Sequence, residues 1–256
     1  MSNRETLRVI RIAVLECLEF ADNISREKGD FTKVFEDWLN KSAQASTSWK
    51  NVQVRCTGYD VVGKELYPGL DMLEAQFNAL IVTGSMEAAY DESSVYERHP
   101  KVRIYGGCFG HQIIAQALLG KYGVQVTKKN WEVGVHQVAL SREFRLKVPL
   151  LRDCASMSCQ FLHSDHVVGF TDNPNLPSDW MNIGKSNLCE TQGLYKPGRV
   201  LTFQGHPEFD QFITQTTVTN LKKTFKADYK KHFDQAGQSD DALLYGEVLV
   251  NFFLSG

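Results

Sequence analysis

The stretch Val102-Arg103-Ile104-Tyr105-Gly106-Gly107-Cys108-Phe109-Gly110-His111-Gln112 decides how the chain is read. Val102 to Tyr105 reads as a buried strand. It runs straight into a cysteine flanked by glycines. Beyond it, Ile113, Ile114, Ala117 and Leu118 are spaced to face inward from a helix, and Gly120 is a natural C-cap. Gly106 to Gly110 fits G-x-C-x-G, the thiol form of the sharp strand-to-helix turn that presents a nucleophile. Small residues must flank a turn that tight. The helix starting there offers its dipole and free N–H groups, which favour a thiolate over a thiol whose ordinary pKa is about 8.5. The competing reading is a buried structural cysteine ahead of a helix. That reading is adopted for Cys17, Cys56, Cys154, Cys159 and Cys189.

Working outward, Val9–Cys17, Val52–Cys56 and Ala79–Thr83 read as further buried strands. Asp30–Leu39 reads as a helix with Phe31, Val34, Phe35, Trp38 and Leu39 on one face. The second half is richer in strands: Val133–Leu140, Ser158–Leu162, Leu188–Tyr195 and Val200–Phe203. A hairpin turn over Lys196-Pro197-Gly198-Arg199 joins the last two. Two helical stretches close the chain, Gln211–Phe233 and Asp241–Leu254. Strands alternating with helices imply α/β architecture with a mainly parallel sheet covered on both faces. In such folds sites lie at the carboxyl ends of strands. Gly84, Cys108 and His206 all lie at such ends.

Gly205-His206-Pro207-Glu208 supplies a base. In an extended segment residues i and i+2 share a side, so His206 and Glu208 are expected to project together, with Pro207 favouring that conformation. A carboxylate beside an imidazole fixes its tautomer. His111, one turn after Cys108, is a rival base. Gly84-Ser85 can offer an N–H that, with the N–H of Phe109, would form an oxyanion hole, although from spacing alone an ordinary strand-ending glycine explains it better. His163-Ser164-Asp165-His166 reads as a substrate-binding loop. Its H-x-x-H spacing also admits a metal, but the obvious third ligand, His206, is already used, so no metal is assigned. Trp131-Glu132-Val133-Gly134 either lines a pocket or packs. With no Walker-type glycine loop and no G-x-G-x-x-G, no nucleotide site and no cofactor is indicated.

Bulk properties narrow the classes. A formal net charge of -2 gives no basic surface for nucleic acid. The N-terminal apolar run, broken by Arg11, resembles neither an export signal nor a membrane span. The six cysteines contain no C-x-x-C pair and read as free thiols of a soluble, cytoplasmic protein, in which the Asn23-Ile24-Ser25 sequon carries no glycan. No repeat or linker divides residues 1–256, which read as one domain with a helical extension from about 211.

Together these motifs resemble the class I glutamine amidotransferase domains. Gly106 to Gln112 looks like their nucleophile motif and Gly205-His206-Pro207-Glu208-Phe209 like their histidine–glutamate motif. Thr83-Gly84-Ser85 looks like their oxyanion loop, and Leu162 to His166 like the loop touching the substrate's amino-acid end. The likeness runs from about Val9 to Leu254 and is greatest to stand-alone plant and fungal members, some of which look like γ-glutamyl peptidases. It implies a three-layer αβα, flavodoxin-like fold. It implies attack by Cys108 on a γ-glutamyl carbonyl, with His206 and Glu208 completing a triad. Gly84 and Phe109 would hold the oxyanion; Gln112, Ser164 and Asp165 would hold the glutamyl group. The substrate would be glutamine, a γ-glutamyl peptide or a glutathione-type conjugate. The alternatives are a glutaminase subunit donating ammonia to a separate synthetase in a biosynthetic pathway, and a catalytically impaired relative. Two departures stand out. Gly107 replaces a branched apolar residue, costing a core contact. Only sixteen residues, 86–101, form the crossover after Ser85, where the family has a full helix. That shortening predicts an apolar groove beside Ala79–Thr83 and Val102–Tyr105, open to self-association.

Overall fold

The computed structural model describes residues 6–69, 71, 73–84 and 99–255. The shortened crossover therefore lies almost wholly outside the described residues. In chain order the elements are β1 (Arg8–Glu16), α1 (Asp22–Lys28), α2 (Phe31–Ala45), β2 (Val52–Asp60), α3 (Leu73–Gln76), β3 (Ala79–Val82) and β4 (Arg103–Gly107). Then follow α4 (Phe109–Leu119), β5 (Gln125–Leu140), α5 (Arg142–Lys147), β6 (Ser156–Val168), β7 (Met181–Asn182), β8 (Gly184–Lys185), β9 (Leu194–Lys196) and β10 (Val200–Phe203). The chain closes with α6 (Gln211–Asn220), α7 (Lys222–Phe225), α8 (Tyr229–Ala236) and α9 (Ala242–Leu254).

The main sheet has the order β2-β1-β3-β4-β10-β9-β7. Its first five strands are parallel, and β9 and β7 are added antiparallel. The parallel part is the flavodoxin-like 2-1-3-4-5 order. Because strand side chains alternate, each parallel strand feeds two cores. Ile10, Ile12 and Val14 of β1, Ala79 and Ile81 of β3, Tyr105 of β4 and Phe203 of β10 pack with α2 and α9. Ala13 and Leu15, Leu80 and Val82, and Ile104 pack with α4 on the other face. The αβα layering and mainly parallel sheet match the expectation. Among the described residues no such groove appears: every side chain of β3 is buried, and Leu80 and Val82 share a core cluster with Phe109, Ile113 and Ile114 of α4.

Several local expectations needed correction. Helix α2 begins one residue after Asp30, whose carboxylate caps the Lys33 N–H at 2.8 Å, and it runs on to Ala45. The α4 helix buries Ala115 and Leu119 rather than Ala117 and Leu118. Gly120 is the C-cap of α4, as expected, but it stays right-handed and starts a single 3₁₀ turn; the left-handed glycine is Gly123, φ 92°. Only two residues of the expected Leu188–Tyr195 strand, Leu194 and Tyr195, pair in β9, which runs on to Lys196. Gln211–Phe233 is three pieces: one break falls at Leu221 and another at Lys226, whose φ of 48° a continuous helix does not pass through. A second, antiparallel sheet, β6-β5-β8, stands apart from the main one. Residues 163–166 lie within β6 and not in a loop.

Candidate active site

Gly84, Cys108 and His206 follow β3, β4 and β10, which are neighbours in the sheet, so all three reach the same edge. Cys108 sits between β4 and α4 with φ 50° and ψ -105°, a strained backbone for a side chain with a Cβ. Its N–H donates to the Phe203 carbonyl at 2.8 Å, and its carbonyl accepts from the Gln112 N–H at 3.1 Å, so strand and helix hold it from both sides. The flanking glycines are steric necessities. A Cβ on Gly110 would lie 2.2 Å from the Val82 carbonyl oxygen, and one on Gly106 would lie 2.5 Å from the Gly110 backbone. Gly107 differs. A Cβ there would meet the Tyr105 hydroxyl at 3.5 Å, ordinary contact, so the tyrosine ring occupies the space a branched residue would fill. The expected loss of a core contact is thus made good by Tyr105, fully buried against Phe35 and Phe203.

His206 and Glu208 do come together: Nδ1 lies 2.7 Å from Glu208 Oε1, with both residues buried. The backbone route is not the expected extended one. Residues 207–208 form a turn closed by the Phe209 N–H on the His206 carbonyl at 3.1 Å. Proline favours the second position of such a turn, and this outweighs its preference for an extended predecessor. The His206 N–H also donates to the Gln160 carbonyl of β6 at 2.7 Å, and the imidazole stacks on Phe209 at 4.1 Å. Burial alone would lower the His206 pKa. The charges of Cys108 and Glu208 and hydrogen bonds to both outweigh it and raise the value to about 10. The imidazole therefore lies between a thiol and a carboxylate, an arrangement able to pass a proton at the sulfur.

Gly84 packs directly on this pair. A Cβ there would lie 3.0 Å from His206 Cε1 and 3.8 Å from the Cys108 Cβ. Phe109 opens α4 next to Cys108. Gln112 donates to the Asp165 carbonyl at 2.9 Å and to Gln204 Oε1 at 3.2 Å, so α4 and β6 meet there. Ser164 and Asp165 are half-buried on β6. The rival base His111 is fully buried, with Nδ1 2.8 Å from Thr202 Oγ1. Burial, then the field of His163, pushes its pKa down to about 3. It braces α4 against β10. Sequence reasoning missed Tyr105, Gln160 and the tie between Glu132 and His163. Their roles depend on packing between distant elements, which no local motif records.

A strained cysteine elbow at the edge of a doubly covered parallel sheet, beside a buried histidine–glutamate pair, defines the α/β class of the protein. The family model of class-I glutamine amidotransferases matches residues 48–224. A glutamine amidotransferase-like protein of Schizosaccharomyces pombe is 30% identical over 83% of this chain and 85% of its own length. The chain belongs to the class I glutamine amidotransferase family. Gamma-glutamyl peptidase 2 of Arabidopsis thaliana is 26% identical over 58% of this chain and 60% of its own. A solved glutamine amidotransferase of Thermotoga maritima shares the fold, with a TM-score of 0.64 at 19% identity, covering 96% of this chain and 99% of the other. Among the described residues no helix is long and apolar enough to cross a membrane.

Proposed function

We propose that the chain hydrolyses a γ-glutamyl amide bond through a thioester on Cys108. The observation that carries this reading is the His206 imidazole, 2.7 Å from Glu208 and packed with Cys108 against Gly84. The sulfur attacks the γ-carbonyl carbon, and the carbonyl oxygen becomes an oxyanion held by the Gly84 and Phe109 N–H groups. The C–N bond breaks, and His206 gives its proton to the departing ammonia or amine. Water then attacks the thioester, His206 takes its proton, and glutamate leaves as the thiol is restored. Glu208 keeps the imidazole in the orientation this needs. Gln112, Ser164 and Asp165 hold the α-amino and carboxylate ends of the glutamyl group. No cofactor takes part. The six cysteines are free thiols, which suits a cytoplasmic setting.

The similarity to a plant γ-glutamyl peptidase favours a γ-glutamyl peptide or glutathione-type conjugate as substrate over a role as a synthetase's ammonia source. The test is turnover of glutamine, γ-glutamyl dipeptides and glutathione conjugates by the purified chain, detecting ammonia and free amine. Release of amine from γ-glutamyl peptides, abolished by Cys108→Ser, is the expected result. Activity on glutamine that needs an added synthetase would point to the ammonia-donor role. Activity that survives Cys108→Ser would overturn the reading.

A further inference from the structure

On the paired strands β5 and β6, Glu132, His163 and His166 are all buried, and one ligand atom from each lies within 4.8 Å of the other two. These residues stand apart from Cys108 and His206 in the chemistry proposed above, and the inference does not depend on it. We infer that they form a binding site for a divalent transition-metal ion of the zinc class. The hydrogen bonds define what each group offers. His163 Nδ1 lies 3.1 Å from the Asp165 carbonyl, and His166 Nε2 lies 3.1 Å from the Asn130 carbonyl. A carbonyl oxygen only accepts, so the ring nitrogens facing these carbonyls carry the protons. His163 Nε2 and His166 Nδ1 are then left with lone pairs. This is the outer-shell pattern of metal-bound histidines, whose second N–H donates to a carbonyl or carboxylate.

Glu132 is oriented in the same way: Oε1 accepts from the Ser186 hydroxyl at 2.5 Å and Oε2 from the Gln192 amide at 2.7 Å. His163 Nε2 is wholly buried and stands 3.1 Å from Glu132 Oε2, close enough for an ion pair when the imidazole is protonated. Adjacent ligand atoms on a tetrahedral ion with bonds of about 2.0–2.1 Å stand about 3.3 Å apart, so the observed spacing suits two ligands of one ion. Two imidazole nitrogens and one carboxylate form a donor set that suits zinc and its neighbours better than calcium or magnesium. The nearby Cys189 thiol donates to the Thr191 carbonyl at 3.4 Å, which leaves it outside the set. Such an ion would tie β5 to β6 across the irregular pairing between Lys128 and Glu132.

The experiment uses the full chain, stripped with a chelator and titrated with zinc and then with cobalt. One equivalent should bind with sub-micromolar affinity and raise the melting temperature. The cobalt form should show visible d–d bands without a thiolate-to-cobalt charge-transfer band. His163→Gln and His166→Gln should weaken binding by more than roughly 100-fold, and Ser186→Ala by roughly 10–100-fold, the cost of losing an outer partner. A thiolate charge-transfer band would place the ion on a cysteine and overturn the inference. So would zinc affinity no better than micromolar, which would leave Glu132 and His163 a buried ion pair. If a histidine variant fails to fold, the cobalt spectrum of the unaltered chain still decides between these outcomes.

Discussion

His206 is gripped by a carboxylate on one nitrogen, a stacked phenyl ring on its face and a glycine against Cε1. None of these contacts leaves it free to turn away from Cys108. General acid–base help is worth roughly 10² to 10⁴ in rate, so His206→Ala should lower kcat by that factor. His111→Ala should instead lower the melting temperature while kcat stays within about tenfold, because it removes the Thr202 contact inside the core. Steady-state kinetics and thermal melts on the two variants check this, and the reverse pattern would exchange the two roles. At this scale the sequence was informative where chemistry is local. Cys108 between glycines and His206 two residues from Glu208 are readable from spacing alone. The pairing of His206 with Glu208 was anticipated for the wrong backbone reason, since a turn and an extended segment both bring residues two apart together here. Glu132 was not readable as a partner of His163, because only the register of β5 on β6 sets them side by side.

At the scale of the element, the elbow separates glycines that are required from one that is not. Gly110 faces backbone at 2.2 Å, which cannot give way without displacing β3, whereas Gly107 faces a side chain at ordinary contact distance. Gly110→Ala should therefore destabilise the chain by about 1–3 kcal/mol or more, or prevent folding. Gly107→Ala should be neutral or stabilising by up to about 1 kcal/mol, because alanine restricts the unfolded chain more than glycine does. Urea denaturation of both variants measures the difference, and equal losses would mean that Tyr105 does not fill the space beside Gly107. The strands of the parallel sheet were legible because they are buried on both faces and so read as unbroken apolar runs. The ends of elements were not. The α4 helix does end at Leu119 with Gly120 as its C-cap, but Gly120 stays right-handed and leads into a 3₁₀ turn, and the left-handed turn comes only at Gly123.

At the scale of the molecule, two buried histidines limit stability from opposite sides. His206 has its pKa raised to about 10; burial opposes this, and the charges of Cys108 and Glu208 prevail. Its contribution is fully present below its unfolded value of about 6.5 and is lost as pH rises through about 10. His111 is pushed down to about 3 by burial and by His163, so it is buried neutral. The unfolded chain takes up a proton below about pH 6.5 that the folded chain refuses, and stability falls as pH drops from there towards about 3. Denaturation at a series of pH values should show both limbs. His206→Gln should flatten the alkaline one and His111→Gln the acid one; unchanged limbs would remove these residues from the pH dependence. The central claim is that a γ-glutamyl group passes through Cys108. Brief incubation with a γ-glutamyl peptide, acid quenching and peptide mapping by mass spectrometry test it directly. The account predicts a γ-glutamyl thioester on the peptide carrying Cys108 and on none of the other five cysteines. Turnover without any adduct at Cys108, persisting in Cys108→Ser, would contradict it.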